Sequence, residues 1–198
     1  MAVTVLVTDG EQRAALAAVR SLGRAGRRVI VAATRPRSLA GVSRYAARQA
    51  VAPDPLADPS GFADALSRIV REEQVDVLLP IAEPAILSVL DRRESFGACR
   101  IPFPTADVFR RVSDKAAVLA LAPEVGIAVP EQRVLGSHAE AGAAAILGFP
   151  LVLKPWRSVA DGAEGRRSLS VLHAANAVEL EARIATLPAE GFPLLAQR

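Results

Sequence analysis

The sequence predicts an α/β protein: a doubly wound parallel sheet, followed by a second unit built on an antiparallel sheet with helices on one face. Three observations lead there. Through the first hundred residues, short apolar runs rich in β-branched side chains alternate with amphipathic stretches, the pattern of a parallel sheet covered on both faces. Near residue 102 the texture changes, and Pro102, Pro104, Pro123 and Pro130 bracket two short helical stretches. Strand and helix patterns then resume around a polar loop at 157–167.

The elements follow in order. Residues 2–8 read as a buried strand that ends in the Asp9-Gly10 turn. Residues 11–25 carry Leu16, Val19 and Leu22 at helical spacing and stop at Gly26. A second strand spans 28–33, a short helix 38–47 and a third strand 49–52, before a proline- and aspartate-rich loop at 53–59. Residues 60–73 place Phe62, Leu66, Ile69 and Val70 on one helical face. A fourth strand at 75–80, a helix at 83–92 and a closing strand at Ile101-Pro102 complete the first domain, 1–104. The second, 105–198, is read as helices at 106–112 and 114–122, strand 132–135, helix 139–147 and strand 151–156. After the polar loop come strand 168–173, helix 177–187 and strand 193–197. Ligands of open α/β sheets bind at the carboxyl ends of the strands. Those ends are residues 9–11, 33–35 and 80–83 here.

Composition sets outer bounds. A chain of 198 residues, 51% hydrophobic, can bury a core in one large or two small domains. No run of 18 apolar residues is free of charge or proline, so no transmembrane helix is expected. The first residues lack the basic region of a secretory signal. Cys99 is the only cysteine, which rules out an intrachain disulfide and a cysteine zinc cluster. The chain is read as cytoplasmic, with no membrane or nucleic-acid partner. Charge is uneven. Residues 1–50 carry nine arginines against Asp9 and Glu11, whereas residues 51–100 are net acidic. The arginines lack aromatic interleaving and read as a solvated face.

Only two of the 24 basic residues are lysines, Lys115 and Lys154. A compact ammonium on a flexible stem can reach a crowded phosphate as a point charge; the alternative is that the two lysines are what a codon bias leaves. Ser113-Asp114-Lys115 on its own is a capped helix start with a solvent-facing lysine. Lys154 closes an apolar strand, and its charge needs a partner: a phosphate, or water reached by snorkelling. The loop 157–167 holds Ser158, Gly162, Gly165, Arg166 and Arg167, and either folds over a phosphate or forms a plain hairpin loop. Asp9-Gly10-Glu11 lacks the dinucleotide glycine fingerprint, and no P-loop motif is present. His138 and His173 lack metal spacing, and Ser113, Ser158 and Cys99 lack a nucleophile signature.

Taken in order, these pieces resemble one family. Ser43-Arg44-Tyr45, Pro53-Asp54-Pro55 and Asp76-Val77-Leu78-Leu79-Pro80 precede a proline-rich hinge and Asp114-Lys115. Phe149-Pro150-Leu151-Val152-Leu153-Lys154-Pro155, a glycine-containing loop, a helix and Leu194-Leu195-Ala196-Gln197 follow. The set resembles ATP-grasp proteins of the carboxylate–amine ligase and carbamoyl-phosphate-synthase-like branch, over essentially the whole chain. The fold implied is a pre-ATP-grasp doubly wound sheet followed by an incomplete ATP-grasp α+β subdomain.

The resemblance also implies roles. Lys115 and Lys154 contact the phosphates of ATP, the loop with Ser158, Gly162 and Gly165 closes over the triphosphate, and Gln197 begins the hinge beside the adenine. Glu11, Arg35 and Glu83, at strand ends, are the candidates for holding a small carboxylate substrate. The implied reaction activates that carboxylate as an acyl phosphate for attack by an amine or similar nucleophile. The loop Ala160-Asp161-Gly162-Ala163-Glu164-Gly165 has fewer glycines than the family usually shows. The family's Mg²⁺ ligands lie well downstream of the hinge strand, so neither they nor a catalytic residue are expected within residues 1–198. The chain is then a fragment, a truncated product or half of a split enzyme, completed by a missing C-terminal half or assembled as a homodimer. Two other classes stay open: a noncatalytic small-ligand-binding α/β module, and a dinucleotide-dependent oxidoreductase, against which the missing glycine fingerprint counts.

Overall fold

The computed structural model of the protein describes every residue except Met1, Ala163 and Glu164. It divides into two compact units, Met1–Ala106 with Glu164–Arg166, and Asp107–Ala163 with Arg167–Arg198.

The first unit is a four-stranded parallel sheet with helices. Strand β1 (Thr4–Val7) leads to helix α1 (Arg13–Arg24), β2 (Arg28–Ala33), β3 (Ala46–Val51), α2 (Pro59–Glu72), β4 (Val77–Leu79) and α3 (Glu83–Asp91). The order across the sheet is β3-β2-β1-β4. Val5 lies between Val29 and Val77, and Leu6 between Ile30 and Leu78. All four residues of β1 are buried, as a central strand covered on both faces requires. Alternation sends Val5, Val7, Val29 and Val31 against Ala15 and Val19 of α1. Helix α2 starts at Pro59 because Asp58 caps it, its carboxylate accepting from the Gly61 N–H at 2.8 Å. It buries Phe62, Ala63, Leu66, Ile69 and Val70.

Two expectations fail in this unit. Residues 38–47 are turns leading into β3, not a helix. The serines there satisfy the backbone locally: Ser38 Oγ accepts from the Gly41 N–H at 3.0 Å, and the Ala40 N–H donates instead to the carbonyl of Gly10. Such bonds replace the helix ladder. Ile101-Pro102 adds no strand. The chain touches the sheet through one parallel bridge, Val77 to Arg100, and Pro102 has no N–H with which to extend it.

After the first unit the chain forms α4 (Ala106–Ser113) and α5 (Lys115–Leu121), followed by β5 (Gln132–Leu135), α6 (Ala141–Ala144), β6 (Leu151–Pro155), β7 (Val159–Gly162), β8 (Gly165–Ser168, of which Gly165 and Arg166 belong to the first unit), β9 (Leu172–Ala174), α7 (Ala177–Ala185) and β10 (Leu194–Gln197). Its antiparallel sheet runs β5-β10-β6-β9. Leu135, Leu151, Leu153, Leu194 and Ala196 meet Leu180 and Ile184 of α7 in one core. The opposite face of the same strands carries Gln132, Val134, Val152, Lys154, Leu195 and Gln197, by the period-two alternation. Helices α4 and α5 bury no residue. Val108, Val112, Val118 and Leu121 line a groove of about 470 Å³ between them.

Three local expectations change here. The polar stretch at 157–167 contains the paired strands β7 and β8, because a backbone ladder needs no apolar alternation to form. The strand expected at 168–173 is confined to Leu172–Ala174, the residues that lie opposite Leu151, Val152 and Leu153 of β6. The helix expected at 139–147 is broken into α6 and flanking 3-10 turns, ending at Gly148 with φ +77°.

Candidate functional site

The site builds from the sheet face opposite the core. Leu153 points into the core of the second unit, so its neighbour Lys154 projects from the other face. There the Lys154 ammonium donates to Gln197 Oε1 at 2.6 Å. Gln197 is 5% exposed, and its Nε2 donates to Gln132 Oε1 at 2.8 Å. Lys154 is half-buried, and among the described residues its partner is this neutral amide, not a carboxylate. Its charge is therefore left to attract an anion.

Lys115 is brought to the end of the same strand. Asp114 caps α5 by accepting from the Ala117 N–H at 3.0 Å, which makes Lys115 the first helical residue. The Lys115 N–H donates to the carbonyl of Trp156, two residues beyond Lys154, at 2.9 Å. Its ammonium donates to Ser158 Oγ at 3.0 Å. Arg157 reinforces this junction. Its guanidinium lies 3.9 Å above the Trp156 ring, a cation–π contact, and 3.8 Å from the Asp114 carboxylate. The Trp156 N–H donates to the carbonyl of Pro193, just before β10. The start of α5, the end of β6 and the approach to β10 are thus one hydrogen-bonded junction carrying both lysines of the chain.

The structure brings Lys115 together with Ser158, and Lys154 together with Gln197. Gly162 ends β7 and Gly165 begins β8, while Ala163 and Glu164, between them in the expected loop, lie outside the described residues. Gly165 takes φ +121° and sits against the backbone of Leu56 and Ala57 within the first unit. There Arg166 donates from its N–H to Leu56 O at 2.7 Å, and its guanidinium reaches Asp91 at 2.6 Å and Ser88 Oγ at 2.9 Å.

Glu11, Arg35 and Glu83 stand at the strand ends of the first unit. Glu11 Oε1 accepts from the Thr34 N–H at 2.7 Å, the Thr34 hydroxyl at 2.8 Å and the Arg35 N–H at 3.2 Å, clamping the end of β2. Glu83 is the first residue of α3. Asp9 clamps the end of β4: its carboxylate accepts from the Thr8 hydroxyl and from the N–H groups of Ile81 at 3.1 Å and Ala82 at 3.0 Å. Burial holds the Asp9 carboxyl above its ordinary range, against the opposing pull of those hydrogen bonds. Among the described residues no three His, Cys, Asp or Glu side chains converge as a metal site. No helix among them is long and apolar enough to cross a membrane.

The sequence reading missed Gln132, the Trp156 carbonyl and Arg157. Gln132 and Gln197 are 65 residues apart, and only the register of β5 on β10 makes them opposite.

The fold is shared with the N-terminal portions of ATP-grasp proteins. Among solved structures, it matches an L-amino acid ligase from Bacillus licheniformis over 98% of this chain and 43% of that one, at 16% identity and a TM-score of 0.68. It matches an N5-carboxyaminoimidazole synthetase from Staphylococcus aureus, solved with ADP, over 99% of this chain and 47% of that one, at 15% identity and a TM-score of 0.68. Among curated sequences, 87% of the chain is similar, at 28% identity, to half of a formate-dependent phosphoribosylglycinamide formyltransferase from Synechococcus sp. (strain RCC307). The chain thus spans about half the length of these relatives. No protein-family model matches it.

Proposed function

We propose that this chain is the ATP-binding portion of an ATP-grasp ligase that activates a small carboxylate as an acyl phosphate. The observation that carries the reading is the placement of the only two lysines in an arginine-rich chain at one junction of the second unit, beside Ser158 and Gln197. The two ammonium groups fit a polyanion. They are compact donors on flexible stems, and Lys154 is turned onto the sheet face opposite the core.

In this reading Lys154 and Lys115 hold the phosphate chain, and the Ser158 hydroxyl, which accepts from Lys115, keeps its own proton for a phosphate oxygen. A carboxylate oxygen attacks the γ-phosphorus and the bond to the bridging β–γ oxygen breaks, giving ADP and an acyl phosphate. An amine then attacks the acyl carbon, loses a proton and expels phosphate. The residues here contribute positioning and neutralisation of charge on the migrating phosphoryl group. Magnesium bound with the nucleotide would neutralise phosphate charge alongside the two lysines.

Glu11, Arg35 and Glu83, at the strand ends of the first unit, are the proposed carboxylate-substrate residues. Three donors already engage one oxygen of Glu11, so its part is to fix the Thr34-Arg35 backbone, leaving the Arg35 guanidinium as the group for an anionic substrate. Competition binding with a fluorescent ATP analogue tests the nucleotide class. Unlabelled Mg·ATP is expected to displace it and NAD(P)H to leave it in place; displacement by NAD(P)H alone returns the chain to the oxidoreductase class.

A further inference from the structure

Lys154, Gln197 and Gln132 form a chain of side chains across three adjacent strands, β6, β10 and β5. Its hydrogen bonds run one way. An ammonium only donates, so the oxygen of the Gln197 amide must face Lys154. Turning that amide over would set N–H against N–H. With Oε1 so committed, Nε2 faces β5, where Gln132 Oε1 receives it at 2.8 Å. Gln197 is buried, so its N–H would be costly to leave without an acceptor.

From this geometry we infer that Gln132 is a positioning residue for the phosphate-binding lysine, acting through Gln197; the inference rests on the reading of Lys154 as a phosphate contact. Without an acceptor at position 132, the buried Gln197 Nε2 is left without a partner, and the amide is drawn away from Lys154 to find another. Lys154, whose stem has several rotamers of similar energy, then loses the oxygen that holds its ammonium on the sheet face. Gln132 is half-buried on β5, one strand beyond Gln197 as counted from Lys154. Its contribution is to reduce the number of places the ammonium can occupy before nucleotide arrives.

The lysine content makes the inference directly testable. Reductive ¹³C-methylation of the intact protein labels Lys115, Lys154 and the amino terminus alone, and a dimethylated ammonium keeps one N–H with which to donate. Lys154→Arg assigns the Lys154 signal. Two variants separate shape from acceptor chemistry: Gln132→Met keeps the length and removes the oxygen, while Gln132→Glu keeps an acceptor oxygen. In Gln132→Met the Lys154 signal is expected to move towards the position of a free lysine while Lys115 stays put. In Gln132→Glu it is expected to remain within the wild-type envelope. Mg·ATP affinity is expected to fall roughly three- to ten-fold in Gln132→Met, the scale of one neutral hydrogen bond, and to be retained in Gln132→Glu. A Lys154 signal unmoved in Gln132→Met overturns the inference, as does one that moves equally in both variants or moves together with Lys115. If the signal responds to Gln132 while Lys154→Ala leaves Mg·ATP affinity intact, the relay stands and the phosphate reading falls.

Discussion

Replacing Leu153 with alanine isolates the division of labour on β6. Leu153 is 0% exposed and packs with Leu135, Leu180, Ile184 and Leu194, on the face opposite Lys154. A fully buried leucine cut to alanine loses transfer energy and leaves a partly unfilled cavity, about 3–4 kcal/mol in a site this enclosed. With a urea m-value of about 2 kcal/mol/M, the unfolding midpoint should fall by roughly 1.5–2 M. Trp156 is the only tryptophan and lies in the second unit, so its fluorescence reports the unfolding of that unit. Val152→Ala is the control. Its side chain is half-buried on the other face, and its loss should cost roughly 1 kcal/mol or less. A Leu153→Ala cost below about 1 kcal/mol, or equal costs for the two variants, would refute the assignment of faces on which the site depends.

Other outcomes follow from the same geometry. Burial raises the Asp9 carboxyl, so the folded state holds that proton more tightly than the unfolded chain. The stability it contributes is fully present below an unfolded pKa of about 3.9 and is lost as pH rises through the folded value. Wild type should therefore lose stability relative to Asp9→Asn from about pH 4 upward in urea titrations, and a pH-independent difference would contradict the cause given. Gly165→Ala places a Cβ 2.7 Å from the carbonyl oxygen of Leu56 at a φ of +121°, and should destabilise by about 1–3 kcal/mol; thermal melts indistinguishable from wild type would show that backbone to be freely adjustable. Burial raises the Cys99 thiol, so iodoacetamide at about pH 8 should alkylate it much more slowly in the folded protein than in urea, and equal rates would exclude that burial.

The parallel sheet was legible because β1 and β2 are buried on both faces, and a short run of β-branched residues with no polar alternation suits a central parallel strand. Residues 38–47 were not, because Ser38 and Ser43 redirect backbone hydrogen bonds in ways that periodicity does not register. Within the stretch read as a phosphate loop or a plain hairpin loop, the strand pairing of β7 with β8 was not legible for a related reason: Val-Ala-Asp-Gly and Gly-Arg-Arg-Ser carry no apolar alternation, and pairing is by backbone. In the candidate site, Lys115 and Lys154 stood out in an arginine-rich composition. Their partners did so unevenly. Ser158 and Gln197 lie near recognisable strand ends, whereas Gln132 gains its place only from the pairing of Gln197 with Gln132 across β10 and β5. Local pattern identified the charged groups; the register of strands distant in sequence decided what holds them.

The proposed function turns on Lys154 meeting the phosphates of ATP. Calorimetric titration of Mg·ATP into the wild-type chain and into Lys154→Ala reads that contact. Saturable binding by the wild type is expected, and its loss in the variant. The variant's urea stability should stay close to wild type, because the side chain leaves the core untouched. Equal affinities in the two proteins would contradict the assignment of Lys154.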